Sequence, residues 1–194
     1  MIPIEKNIDN LHKVSIAVPN SGKMAEDIKS ALLKAMLILG KDALGIAWVQ
    51  LKRSLPYHSK LHLPKAIEKY KDGTHWRAFA IKLQNGTIKA FVNPIIRARY
   101  VGAGRQERTK HTEQCLSVKG KYKIGRYKEV MLFWSEPVID YNKDKETLMF
   151  NSRLYPGLSE ANQMLLTGRD AMVAQHEMDH LDGILISDRG KKVK

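Results

Sequence analysis

Gln175-His176-Glu177-Met178-Asp179-His180 is the stretch on which the reading of this chain turns. On a helix, His176 and His180 stand four residues apart and share one face. Two imidazoles so placed bind a single metal ion, and Glu177, one step round from His176, reaches a water beside it. Upstream, the single cysteine of the chain, Cys115, sits in Glu113-Gln114-Cys115-Leu116-Ser117 and offers a third ligand. A catalytic zinc-type centre has three protein ligands and one open position. Thiolate and imidazole suit borderline-soft ions such as Zn²⁺ or Fe²⁺ and disfavour Ca²⁺ or Mg²⁺. One cysteine excludes a Cys₂His₂ finger and an internal disulfide. A second group, either Asp179 or a backbone carbonyl, is expected to orient a ligand imidazole.

Around this motif the chain of 194 residues reads as one domain, residues 1–194, with a sizeable core. Hydrophobic residues make up 43%, which argues against global disorder. No apolar run approaches the roughly 18–20 residues that span a bilayer. No signal or transit segment is legible at the N-terminus, so the expectation is a cytoplasmic protein. The net charge of +13 favours acidic partners such as nucleic acid, with a solvated basic surface as the plain alternative. The cations are densest over Lys119–Lys128 and in the C-terminal tail Arg189-Gly-Lys-Lys-Val-Lys, which is expected to fray.

Apolar spacing predicts a helix over Met24–Leu39, stopped by Gly40. Gly45–Leu51 reads as a strand or a tight turn entering one. Strands are expected at Trp76–Leu83 and Ile88–Asn93, joined through Asn85-Gly86, and at Ile95–Val101, Glu129–Trp134 and Leu148–Leu154. The stretch around Cys115 reads as extended, Ser159 as a helix cap, and Ile184–Ile186 as a strand or turn. The last major helix covers Asp170–Leu181. Residues 141–167 read as an inserted surface excursion. The fold class is α+β, with mixed or antiparallel sheets packed around the late helix.

The residues resemble the peptide deformylase family. Its QHExDH motif matches Gln175–His180 in full, and Leu181-Asp182-Gly183 also fits. Its EGCLS motif appears as Glu113–Ser117 with Gln114 in place of Gly. Its GΦGΦAAxQ motif appears as Ala43-Leu44-Gly45-Ile46-Ala47-Trp48-Val49-Gln50, with Ala43 for the first Gly and Trp48 for the second Ala. Phe91-Val92-Asn93-Pro94 resembles the strand ahead of the second motif.

The resemblance implies a ligand set of Cys115, His176 and His180 around one ion, Fe²⁺ with Zn²⁺ or Ni²⁺ as alternatives. It implies Glu177 as general base and then acid. Gln50 and the Leu116 backbone N–H would be donors to the formyl oxygen. Leu44, Met172 and Val173 would line the methionine pocket, and Gly45 would pair with the substrate backbone. Gln114 would project over the cleft and alter the substrate range. The implied substrates are N-formylmethionyl peptides, released as formate and a free amine during protein biosynthesis. A monomer associating with the ribosome through its basic surface is expected. Gln114 is expected to be strained by about 1 kcal/mol or more if its φ is positive, and Trp48 must find room in the core or at the cleft edge. Arg126 is expected to pair with Glu113 or Asp179 beneath the metal. Two other functions compete: a HExxH zinc endopeptidase, and a basic binding protein on the same scaffold with weakened or lost catalysis. The endopeptidase reading lacks a downstream His as third ligand. The binder reading leaves the ligands and Glu177 without a purpose. His12, His58, His62, His75 and His111 read as structural or surface residues.

Overall fold

The computed structural model describes residues 4–18, 22–51, 75–99, 106–134 and 163–193. A short helix α1 (Ile8–Leu11) precedes the long helix α2 (Gly22–Leu39). Strand β1 (Gly45–Ala47) runs into a 3₁₀ turn at Trp48–Gln50. Strands β2 (Ala78–Lys82), β3 (Ile88–Val92), β4 (Ile95–Ala98), β5 (Arg108–Gln114), β6 (Lys121–Tyr127), β7 (Glu129–Phe133) and β8 (Gln163–Thr167) follow. Helix α3 (Gly168–Leu181), helix α4 (Ile186–Arg189) and strand β9 (Lys191–Val193) end the described chain.

The strands form three antiparallel three-stranded sheets, ordered β1-β2-β3, β4-β7-β8 and β5-β6-β9. In the first sheet side chains alternate by face. Ile46, Ala78, Ala80, Ile88, Ala90 and Val92 join the core under α2, with Ile28, Ala31, Leu32, Ala35 and Met36 of that helix. Ala47, Phe79, Ile81 and Phe91 face the other way, into the core around α3. Because both faces are covered, these strands have no polar face. Helix α2 stops where the spacing predicted, at Gly40 with φ +79°. The β2–β3 hairpin turns at Gly86 with φ +86°.

Helix α3 is buried along its whole second half, from Val173 to Leu181, although five of those residues are polar or charged. A helix enclosed on every side is ordinarily apolar all round. The buried polar residues are therefore the informative ones.

The late excursion over 141–167 is corrected at its end: Gln163–Thr167 is β8, paired in full register with β7. Residues 141–162, and with them the strand expected at Leu148–Leu154 and the cap at Ser159, lie outside the described residues. The C-terminal tail does not fray over Lys191–Val193, because that stretch gives its backbone to the open edge of β6. Asp182 and Gly183 form the turn, Ile184 and Leu185 follow in irregular backbone, and Ile186 opens α4.

Candidate metal centre

Three segments far apart in sequence supply the site. Helix α3 places His176 and His180 one turn apart, their rings 4.9 Å between centroids and nearly perpendicular. Cys115 follows the last residue of β5, where the chain leaves the sheet. The ligand atoms of Cys115, His176 and His180 all lie within 4.8 Å of one another, with Cys115 Sγ 3.2 Å from His180 Nε2. Gln50 arrives from the 3₁₀ turn after β1. Its Oε1 accepts from the Ala47 N–H at 2.8 Å, which fixes its amide nitrogen toward the cluster. That nitrogen lies 3.2 Å from His180 Nε2, 3.4 Å from Ser117 Oγ and 3.6 Å from Cys115 Sγ.

The helix is docked by the polar residues that flank the histidines. Gln175 donates to the Tyr127 carbonyl and accepts from the Tyr127 N–H, each at 2.9 Å, so one side chain continues the edge of β6. It also donates to the Ala171 carbonyl at 2.9 Å. Arg126, 2% exposed, bonds both oxygens of Glu113 at 2.8 and 2.9 Å and reaches Asp179 Oδ2 at 2.5 Å. The expected pairing with one carboxylate is thus a pairing with two. His176 Nδ1 lies 2.9 Å from Glu113 Oε2, so Glu113 orients this imidazole and leaves Nε2 for a ligand. The expectation that Asp179 or a carbonyl would do so is corrected for His176. Asp179 is held by Arg126 and, at 3.4 Å, by Arg189. Sequence reading missed Glu113 in this role because the link runs between β5 and α3, with no local spacing to signal it.

Charge is strongly redistributed here. Burial pushes the Glu113 carboxyl up, but hydrogen bonds from Arg126 and His176 outweigh it and hold it at about 2. Burial likewise raises the Cys115 thiol, and the hydrogen bonds and charges of His176 and His180 reverse this to about 5. Burial lowers His176, yet hydrogen bonds to Cys115 and Glu113 raise it to about 10. A thiolate and a carboxylate that draw a proton onto His176 draw a cation by the same force. Glu177 behaves differently: burial dominates and pushes its carboxyl up to about 7. The donor set thus fits a borderline-soft divalent ion: one thiolate and two imidazoles, one of the latter braced by a carboxylate.

A cleft of about 570 Å³ opens over the cluster. Leu44, Gly45, Gln50, Gln114, Cys115, Leu116, Met172, Val173, His176 and Glu177 all line it. His180, 1% exposed, stands behind them. Leu44 and Met172 are both cleft wall and packing against the α3 core. Asp42, Thr112 and Lys121 line the cleft as well and were not singled out by sequence.

Gly45 has a second consequence that the sequence did not signal. A Cβ there would sit 2.4 Å from Glu177 Oε1, so the missing side chain makes the space for that carboxylate. Gln114 is not strained: among the described residues only Asn93 has a positive φ without being glycine, and Gln114 simply continues β5 opposite Lys121. Trp48 finds its room in the α2 core, at 1% exposure. Gly183, φ +70°, ends the helix where a Cβ would strike the His12 carbonyl at 2.3 Å.

Comparison with known proteins agrees with this geometry. A family model described as polypeptide deformylase matches residues 155–194. A curated peptide deformylase of Fusobacterium nucleatum is 32% identical over 118 residues, 60% of this chain. The matched stretch spans about half (53%) of that relative's length. Among solved structures, the peptide deformylase of Thermotoga maritima superposes with TM-score 0.63 at 22% identity, covering 97% of each chain. A peptide deformylase of Synechococcus elongatus, solved with actinonin, gives 0.62 at 21% identity over 98% of this chain and 79% of that one. The chain therefore has the fold of the peptide deformylases, and the helix bearing His176 and His180 lies within its match to the polypeptide deformylase family model.

Proposed function

We propose that this protein is a metal-dependent hydrolase that removes the N-formyl group from the initiator methionine of nascent peptides. One observation carries the reading. A thiol at the end of β5 meets two imidazoles of α3 within 4.8 Å, under a cleft that also exposes Glu177.

Cys115, His176 and His180 would hold one ion, Fe²⁺ in the first instance, with Zn²⁺ or Ni²⁺ as alternatives. When bound, that ion would polarise the formyl oxygen and make a water easier to deprotonate. The chain's own groups then divide the work. Glu177, buried and poised near neutrality, takes a proton from the attacking water as it adds to the formyl carbon. The same carboxyl returns the proton to the nitrogen as the C–N bond breaks, giving formate and a free amine. The Gln50 amide and the Leu116 backbone N–H serve the developing negative charge on the formyl oxygen. β1 is an edge strand of its sheet, so an extended substrate adds beside Gly45 by strand pairing. Leu44, Met172 and Val173 receive the methionine side chain, while Gln114 meets the residues that follow it.

Among the described residues no helix is long and apolar enough to cross a membrane. We place the enzyme in the cytoplasm as a monomer, and its +13 charge supports meeting substrates at the ribosome through screened electrostatic contacts. The test is formate release from a formyl-Met tripeptide by anaerobically purified protein of known metal content, beside a general protein substrate. Formate release without proteolysis supports the reading; proteolysis, or no turnover with one ion bound per chain, overturns it.

A further inference from the structure

We propose that Lys6 is a positioning residue for the thiolate side of the centre, acting through the Leu116–Ser117 peptide. Its Nζ donates to the Leu116 carbonyl oxygen. That oxygen belongs to the same planar peptide unit as the Ser117 N–H, which donates to Cys115 Sγ at 3.3 Å. Fixing one end of the unit therefore fixes the other. A cation on the carbonyl also polarises the amide toward the sulfur, since hydrogen bonds in series strengthen one another.

Lys6 is not a loose surface cation that happens to reach this oxygen. Its backbone is held in a built turn: the Glu5 carboxylate accepts the Lys6 N–H at 2.8 Å and the Asn7 N–H at 2.7 Å. Asn7 in turn caps α1, accepting from Asp9 N at 2.9 Å, and Leu11 anchors that helix in the core. The same segment grips the other flank of the site. The Glu5 N–H donates to the Gln50 carbonyl at 2.8 Å, and Ile4 bridges Leu51. Residues 4–7 thus tie together the turn that carries Gln50 and the loop that carries Leu116, the two donors that the reading above assigns to the formyl oxygen. The inference that this affects turnover rests on that reading; the effect on the sulfur does not.

Two variants and two measurements test it. Lys6→Met keeps the aliphatic stem and removes the charge, and Lys6→Arg keeps the charge. Each is compared with the parent, at equal metal content, for kcat and KM on a formyl-Met tripeptide. The sulfur-to-metal charge-transfer band of the Co²⁺-substituted protein is measured beside them. Lys6→Met is expected to lower kcat about fivefold with KM little changed, the scale of one ordinary hydrogen bond. It is also expected to move the Co²⁺ band to longer wavelength, since a sulfur with weaker hydrogen bonding gives up electron density more readily. Lys6→Arg restores most of both. An unmoved band in Lys6→Met overturns the proposal, as does a fall in kcat that tracks only a fall in thermal midpoint. If the parent hydrolyses no formylated peptide, the functional reading fails while the Co²⁺ band still decides the role of Lys6.

Discussion

The two faces of the β1-β2-β3 sheet are built from neighbouring residues of the same strands, yet they solve opposite problems. Toward α2 the sheet shows Ala78, Ala80 and Ala90, and α2 answers with Ala31 and Ala35, so helix and sheet approach closely and Trp48 fills the space beside them. Toward α3 it shows Phe79, Ile81 and Phe91, with Phe79 and Phe91 rings 5.4 Å apart. The second helix carries Gln175, His176, Glu177, Asp179 and His180 into the interior, each within 9% exposure. The first face is held mainly by shape, although α2 also buries the Lys29 side chain at 1% exposure. The second buries charge, and it stands because Arg126 bridges Glu113 and Asp179 behind the histidines, with His176 also on Glu113 and Arg189 also on Asp179. The contrast teaches where function is housed: apolar packing makes the frame, and the polar interior it encloses sets the protonation of Cys115, His176 and Glu177.

Substitutions should separate the two faces. The largest effect is expected from Glu177→Gln. It removes the proton acceptor but keeps shape, so formate release should fall by roughly 10³-fold while thermal unfolding and metal content stay near the parent's. A small loss of turnover would mean that Glu177 is not the base. Arg126→Met comes next. It leaves Glu113 buried without its guanidinium and Asp179 with only Arg189, and urea unfolding should record a loss of about 3–5 kcal/mol. A loss below about 1 kcal/mol would show that the triad is not what holds α3 against β5 and β6. Gly45→Ala asks the Glu177 carboxylate to move away from a Cβ only 2.4 Å from its Oε1, and kcat should drop by about 10²-fold with stability little affected. On the opposite face, Ala80→Val should overpack the α2 interface by about 1–3 kcal/mol and leave kcat unchanged. An Ala80 variant that lost turnover without losing stability would erase the distinction between the faces.

Much of helix α3 was legible because its signal is local. Four-residue spacing, the adjacent Glu177 and the closing Gly183 are all readable within nine residues. Cys115 and Gln50 were legible through short motifs, although neither stretch is distinctive in composition. What escaped is what depends on packing between distant elements. Glu113 braces His176 only because β5 runs beside α3, and Gly45 matters because of a carboxylate more than a hundred residues away. Gln114 looked like a strained substitution for glycine, but the strand ladder continues through it to Lys121 and no left-handed backbone is required. The cationic tail reads as frayed because charge pattern reports on side chains, and those of Lys191–Val193 are exposed. Its backbone pairing with β6 is set by an open sheet edge that charge does not reveal.

The most direct test of the central claim is X-ray absorption at the metal edge of the protein loaded with one Zn²⁺ per chain. The account predicts a shell with one sulfur at about 2.3 Å and nitrogen ligands at about 2.0–2.1 Å, the sulfur vanishing in Cys115→Ala. A parent spectrum with nitrogen and oxygen ligands only, unchanged by that substitution, would contradict it.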